Sequence, residues 1–173
     1  MKKFFPLIAG IALCTLSCNN HHSSAETASA TKEESPATKK NREAFKTVTN
    51  AFETGNISMI DSVVASDFVD HSGTHETNRD SLKAMITLWK ADTKDLKMEV
   101  IKEVADDEYV FGWLRLTGTS SGKMDMPAGP FNMNAIEVTK FRDGKAIEHW
   151  TFMEPGEMMK MMGPKPAAEN KAK

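Results

Sequence analysis

The chain has 173 residues, enough for one domain with a full core plus tails and too few for two ordinary domains. Its 24 acidic and 22 basic side chains leave a formal net charge of −2, so no charge excess argues for nucleic acid or an anionic membrane surface as partner. The expected partner is a small molecule or another protein.

The first residues, "MKKFFPLIAGIALCTLSC", have the layout of an export signal: Lys2 and Lys3, then an apolar run from Phe4 to Leu16, then small Ser17 before Cys18. The run is short of the ~20 apolar residues of a spanning helix. Leu16-Ser17-Cys18 looks like a bacterial lipoprotein cleavage box, with Thr15 in the place that usually holds leucine, which makes Cys18 the lipidated first residue of the mature protein. Both cysteines, Cys14 and Cys18, fall in this segment, so the mature domain has neither disulfide nor thiolate site. The expected location is the cell envelope, periplasmic or outer-membrane, with acyl chains as the membrane contact. Residues 19–41 carry hardly an apolar side chain larger than alanine and are expected to form a disordered linker, with an r.m.s. span of roughly 25 Å.

A folded domain is expected over 42–155. Arg42 to Thr54 places Ala44, Phe45, Val48, Ala51 and Phe52 at helical spacing before a stop at Gly55. Asn56 can cap a second helix, "ISMIDSVVASDF", and Leu82, Met85, Ile86 and Trp89 mark a third over Asp80–Ala91. The stretch "SDFVDHSGTHE" between the last two reads as a loop.

After Asp95 the period changes to two. "LKMEVIKEV" and "EYVFGWLRLTGT" flank a tight turn at Ala105-Asp106-Asp107, and "FNMNAIEVTKF" reverses at Arg142-Asp143-Gly144 into "KAIEHWTFM". Between the hairpins, "SSGKMDMPAGP" is a long rim loop. Three helices followed by four strands in series point to an α+β fold, with the helices on one face of a curved antiparallel sheet. A methionine-rich, charged tail occupies 156–173, where Met158, Met159, Met161 and Met162 suit either packing on the domain or soft Cu(I) ligation.

"DFVDHSG", "VADDEYVFGWLRLTGT", "PAGPFNM" and "DGKAIEHW", in this order, resemble the SnoaL-like polyketide cyclases of the nuclear transport factor 2-like superfamily. The resemblance covers about Arg42 to Glu154. It implies a cone in which helices wrap a bent sheet and a mostly apolar pocket opens at the wide end. It also implies dimerisation through the sheet and, in the founding cyclases, ring closure by an aldol step at a polar pair. Two departures stand out. Ala146 replaces an isoleucine, and Thr151 stands where an acid often follows His-Trp, the later family aspartate being Glu154 here.

On the resemblance, His71 lies at the pocket wall with Asp70 to orient its ring, the expected proton acceptor, with His149 or Glu154 as partner. Asp70, Trp113, Arg115 and Trp150 are the expected ligand contacts, although the face of each strand that lines the pocket is open at this stage. A metal reading of Asp70, His71, His75 and Glu76 lacks the rigid spacing that ligation needs, so neither metal nor cofactor is expected. The expected function is binding of a small apolar or carbonyl-bearing ligand, with cyclase- or isomerase-type acid–base activity. The alternatives are a non-catalytic binding or interaction lipoprotein and a methionine-based copper binder.

Overall fold

The computed structural model describes residues 33–124 and 126–162. The export segment with Cys14 and Cys18, most of the linker and the end of the tail lie outside the described residues. In chain order the elements are α1 (Pro36–Thr54), α2 (Ile60–Val63), β1 (Val64–Asp70), β2 (Thr77–Asn78), α3 (Arg79–Asp92), β3 (Thr93–Ala105), β4 (Tyr109–Ser120), β5 (Gly129–Arg142), β6 (Lys145–Phe152) and α4 (Pro155–Met162). The fold is α+β, as the sequence predicts.

Helix α1 starts six residues before the expected Arg42, so the last part of the presumed linker is folded. Ser35 and Pro36 form a start signal: Ser35 Oγ accepts from Thr38 N at 3.0 Å, and proline sits in the first turn, where no amide donor is needed. Asn41, 1% exposed, then donates to the carbonyls of Asp106 and Asp107, tying the helix to the β3–β4 turn.

The second expected helix is part helix and part strand. Only Ile60–Val63 is helical, and Val64–Asp70 forms β1, which runs parallel to β6. The sheet has six strands in the order β2-β1-β6-β5-β4-β3, with antiparallel pairing everywhere except β1–β6. The "SDFVDHSGTHE" stretch is therefore strand up to Asp70 and loop from His71. The β5–β6 hairpin turns where expected: Asp143 (φ 55°) and Gly144 (φ 74°) are both left-handed, as a tight primed turn requires.

Along β4, Val110, Gly112, Leu114 and Leu116 face the helices, while Tyr109, Phe111, Trp113 and Arg115 face outward. Burying the fully enclosed Ile60, Val64, Ile86, Val110 and Leu114 contributes about 1.5–3 kcal/mol for each large side chain. Gly112 sets how closely α1 approaches: a Cβ there would lie 2.6 Å from the Phe45 ring. Asp92 closes α3 and anchors the rim loop, accepting from Ser120 Oγ (2.9 Å), Ser121 Oγ (2.6 Å) and Lys123 N (2.9 Å).

One irregularity positions the site. Lys140 pairs with Glu148 but the next residue, Phe141, pairs with Ala146, so Ile147 is an extra residue in β6. Such a bulge reverses the side-chain alternation beyond it. Ala146 before the bulge and His149, Thr151 and Met153 after it all reach the interior.

Candidate functional site

A cavity of about 390 Å³ lies between the inner face of the sheet and α1 and α3. Most of its wall is apolar, with Phe45, Val48 and Phe52 from α1, Leu82, Met85 and Trp89 from α3, and Leu96, Met98, Leu116 and Phe141 from the sheet. Phe68 from β1 and Met158 from α4 add to the apolar lining. The polar residues Asp70, Ser72, Glu137, Thr139, His149 and Thr151 all come from adjacent strands β1, β6 and β5 or the loop after β1, and Thr49 adds a hydroxyl from α1.

His149 is held at both ring nitrogens. Nδ1 lies 3.2 Å from Asp70 Oδ1, and Nε2 lies 2.6 Å from Glu137 Oε2. The three side chains are 21%, 19% and 12% exposed. Thr151 Oγ1 donates to the same Glu137 oxygen at 2.8 Å, and Ser72 Oγ bridges Thr151 Oγ1 (3.1 Å) and His149 Nδ1 (3.2 Å). Register explains the assembly: Asp70 pairs with His149 across β1–β6, and Glu137 pairs with Thr151 across β5–β6.

Burial alone would depress the His149 pKa, but hydrogen bonds to Asp70 and Glu137, together with their charges, outweigh it and raise the pKa to about 9. At neutral pH the ring is an imidazolium. Burial likewise opposes ionisation of Asp70, and the bonds from His149 and Ser72 overcome it, holding the carboxyl below its usual range.

Residues 42–160 match the family described as SnoaL-like polyketide cyclase, a span of well over half the chain. The chain belongs to that family. Among solved structures, IdmH from Streptomyces antibioticus, a candidate polyketide cyclase, is 24% identical with a TM-score of 0.59, over 68% of this chain and 94% of IdmH. TsrD from Streptomyces laurentii is 18% identical with a TM-score of 0.62, over 76% of this chain and 98% of TsrD. An epoxide hydrolase from M. tuberculosis is 13% identical with a TM-score of 0.60, over 73% of this chain and 92% of that one. These identities establish a shared fold and leave the reaction to the residues. No curated protein sequence gives a significant match.

Within this SnoaL-like domain the expected site residues separate into two groups. Asp70 and His149 line the cavity together. His71 does not: its ring stacks on Trp150 with centroids 4.8 Å apart and planes 12° apart, and its nitrogens lie 3.3 Å from Glu148 and Glu76 carboxylates. Lys140, 3.1 Å from Glu148, holds that carboxyl below its usual range and so completes a separate cluster. Asp70 thus orients His149 rather than His71. Trp113, 48% exposed, and Arg115, 3.5 Å from Glu99, lie on the outer face, and Trp150 covers His71. Glu154 is exposed and outside the cavity lining.

His75 is exposed, its ring nearest Thr74. Among the described residues no group of three or more His, Cys, Asp or Glu could hold a metal ion.

Glu137 is the residue that sequence reasoning missed. Its signal was nonetheless in the period-two pattern: Met133, Ala135, Glu137, Thr139 and Phe141 share the inner face of β5, and a carboxylate on such a face needs a partner. Thr151, directly after Trp150, is likewise part of the site through its bond to Glu137.

Proposed function

We propose that this SnoaL-like domain binds a small, largely apolar molecule and that Glu137, His149 and Asp70 give the pocket acid–base capacity of the isomerase or cyclase type. The observation that carries this reading is an apolar cavity converging on an imidazolium between two carboxylates. In the proposed chemistry, Glu137 is the base. His149 and Thr151 fix one of its oxygens and leave the other directed to ligand, while Asp70 keeps the ring charged and in place. Both His149 nitrogens are engaged, so a ligand carbonyl would take its hydrogen bond from the Thr139 hydroxyl.

The same engagement supports a second reading, a binding module without turnover, because a ring clamped by two carboxylates is a poor proton shuttle. Copper handling by the tail has less support, since Met158 packs in the cavity wall. Native mass spectrometry of the gently purified chain, compared with its denatured mass, tests ligand binding. An added organic mass that disappears in Val48→Trp, which fills the cavity, is the expected result. The same mass retained in that variant would contradict the pocket. If the recovered ligand is then converted, Glu137→Gln should abolish turnover and His71→Ala should not. Conversion unaffected by Glu137→Gln would remove the base from the proposal.

The proposal also places the domain at the cell envelope as a lipoprotein anchored through Cys18, on the strength of Leu16-Ser17-Cys18. Labelling with a radioactive fatty acid that is lost in Cys18→Ser is the expected outcome, and undiminished labelling would contradict it. The exposed apolar face of the sheet supports a homodimer.

A further inference from the structure

The chemistry of the polar wall restricts the head group of the ligand, an inference that rests on the pocket reading above. Among the described residues lining the cavity there is no lysine or arginine. The one cation is the His149 imidazolium, and it faces two carboxylates, so the Asp70–His149–Glu137 group carries a net charge of −1. Neither ring nitrogen has a hydrogen left for a ligand oxygen. Glu137 Oε2 already accepts from His149 and Thr151, whereas no described residue donates to Oε1. The wall thus offers an open carboxylate oxygen and an excess negative charge, at the end of a cavity whose apolar walls weaken screening. The Thr139 hydroxyl can donate or accept and serves either kind of head group.

We propose that the cavity takes an apolar molecule bearing a protonated amine, with a hydroxyl as the weaker substitute, seated on Glu137 Oε1, and that it excludes carboxylates of the same scaffold. A cationic head would neutralise the cluster and make a charge-assisted hydrogen bond. An anionic head would be desolvated beside two carboxylates with no free cation to meet it.

The test is isothermal titration calorimetry of the full chain at neutral pH with four probes on one two-ring scaffold: 2-naphthylmethylamine, 2-naphthylmethanol, methyl 2-naphthyl ketone and 2-naphthoate. The amine is expected to bind tightest, about tenfold or more above the ketone, the scale of one hydrogen bond to a charged group. The alcohol should fall between them and the naphthoate should be weakest. In Glu137→Gln the advantage of the amine over the ketone should shrink by about tenfold. Ketone or naphthoate binding as tightly as the amine in the unaltered protein would overturn the head-group assignment while leaving the pocket in place, and needs no variant to fold. An amine preference unchanged in a folded Glu137→Gln would overturn the seat on Glu137. If none of the four probes binds, the pocket reading fails with it.

Discussion

His149 sits between two carboxylates, and its protonation couples the site to the stability of the fold. Its folded pKa of about 9 lies above the unperturbed ~6.5, so the proton is bound more tightly in the folded state. The stabilisation is complete below about pH 6.5 and is lost as pH rises through about 9. Its ceiling is ~3 kcal/mol. Urea denaturation of the protein and of His149→Gln should therefore show a stability gap that is widest near pH ~6 and closes toward pH ~10. A gap constant over that range would mean that the ring is not clamped. Asp70 has the opposite sign: its lowered pKa gives stability above the usual carboxylate range, lost as pH falls through the folded value.

The identity of this cluster was half legible in the sequence. Asp70 and His149 were found as pocket residues, but Asp70 was assigned to His71 because they are adjacent in the chain. Successive strand residues point to opposite faces, so adjacency is what separates them: Asp70 faces the cavity while His71 stacks on Trp150.

At the scale of elements, what could be read depended on how local the cause was. The Asp143-Gly144 turn and the period-two strands are set by residues next to one another, and both are where the pattern predicts. Strand β1 was misread because Ile60, Val63 and Val64 also fit a helix. Its extended form depends on pairing with β6, 79 or more residues later. The start of α1 was legible in Ser35-Pro36 but was masked by the polar composition around it. The Ile147 bulge left no local signature, yet it turns His149 and Thr151 inward. Deleting Ile147 removes the extra residue, so Ala146, His149 and Thr151 should all stay on the inner face of a regularly alternating β6. The deletion variant is expected to keep its strand content by circular dichroism and its calorimetric binding of 2-naphthylmethylamine. Binding lost in a folded variant would contradict this register.

Across the whole domain, the two faces of the sheet have separate roles. The inner face holds the cavity. On the outer face, Val104 pairs with Phe111, and Trp113, Ile136 and Phe152 follow one another across β4, β5 and β6. All five are exposed, Phe152 to 56%. An apolar row of this kind marks an interaction surface, and the proposed homodimer would cover it. In sedimentation equilibrium the protein should be a dimer, and Trp113→Asp should weaken association by about 30-fold or more, the scale of losing a central aromatic anchor. A protein that remains monomeric at every concentration would contradict the dimer and leave the cavity untouched.

The central claim is that the polar end of the cavity is an imidazolium clamped by Asp70 and Glu137. It is tested most directly by an NMR titration of the His149 ring, assigned by its absence in His149→Gln. A midpoint of about 9 is the expected result. A midpoint near the unperturbed ~6.5 would mean that the carboxylates do not hold the ring, and would contradict both the charge of the site and the head group assigned to its ligand.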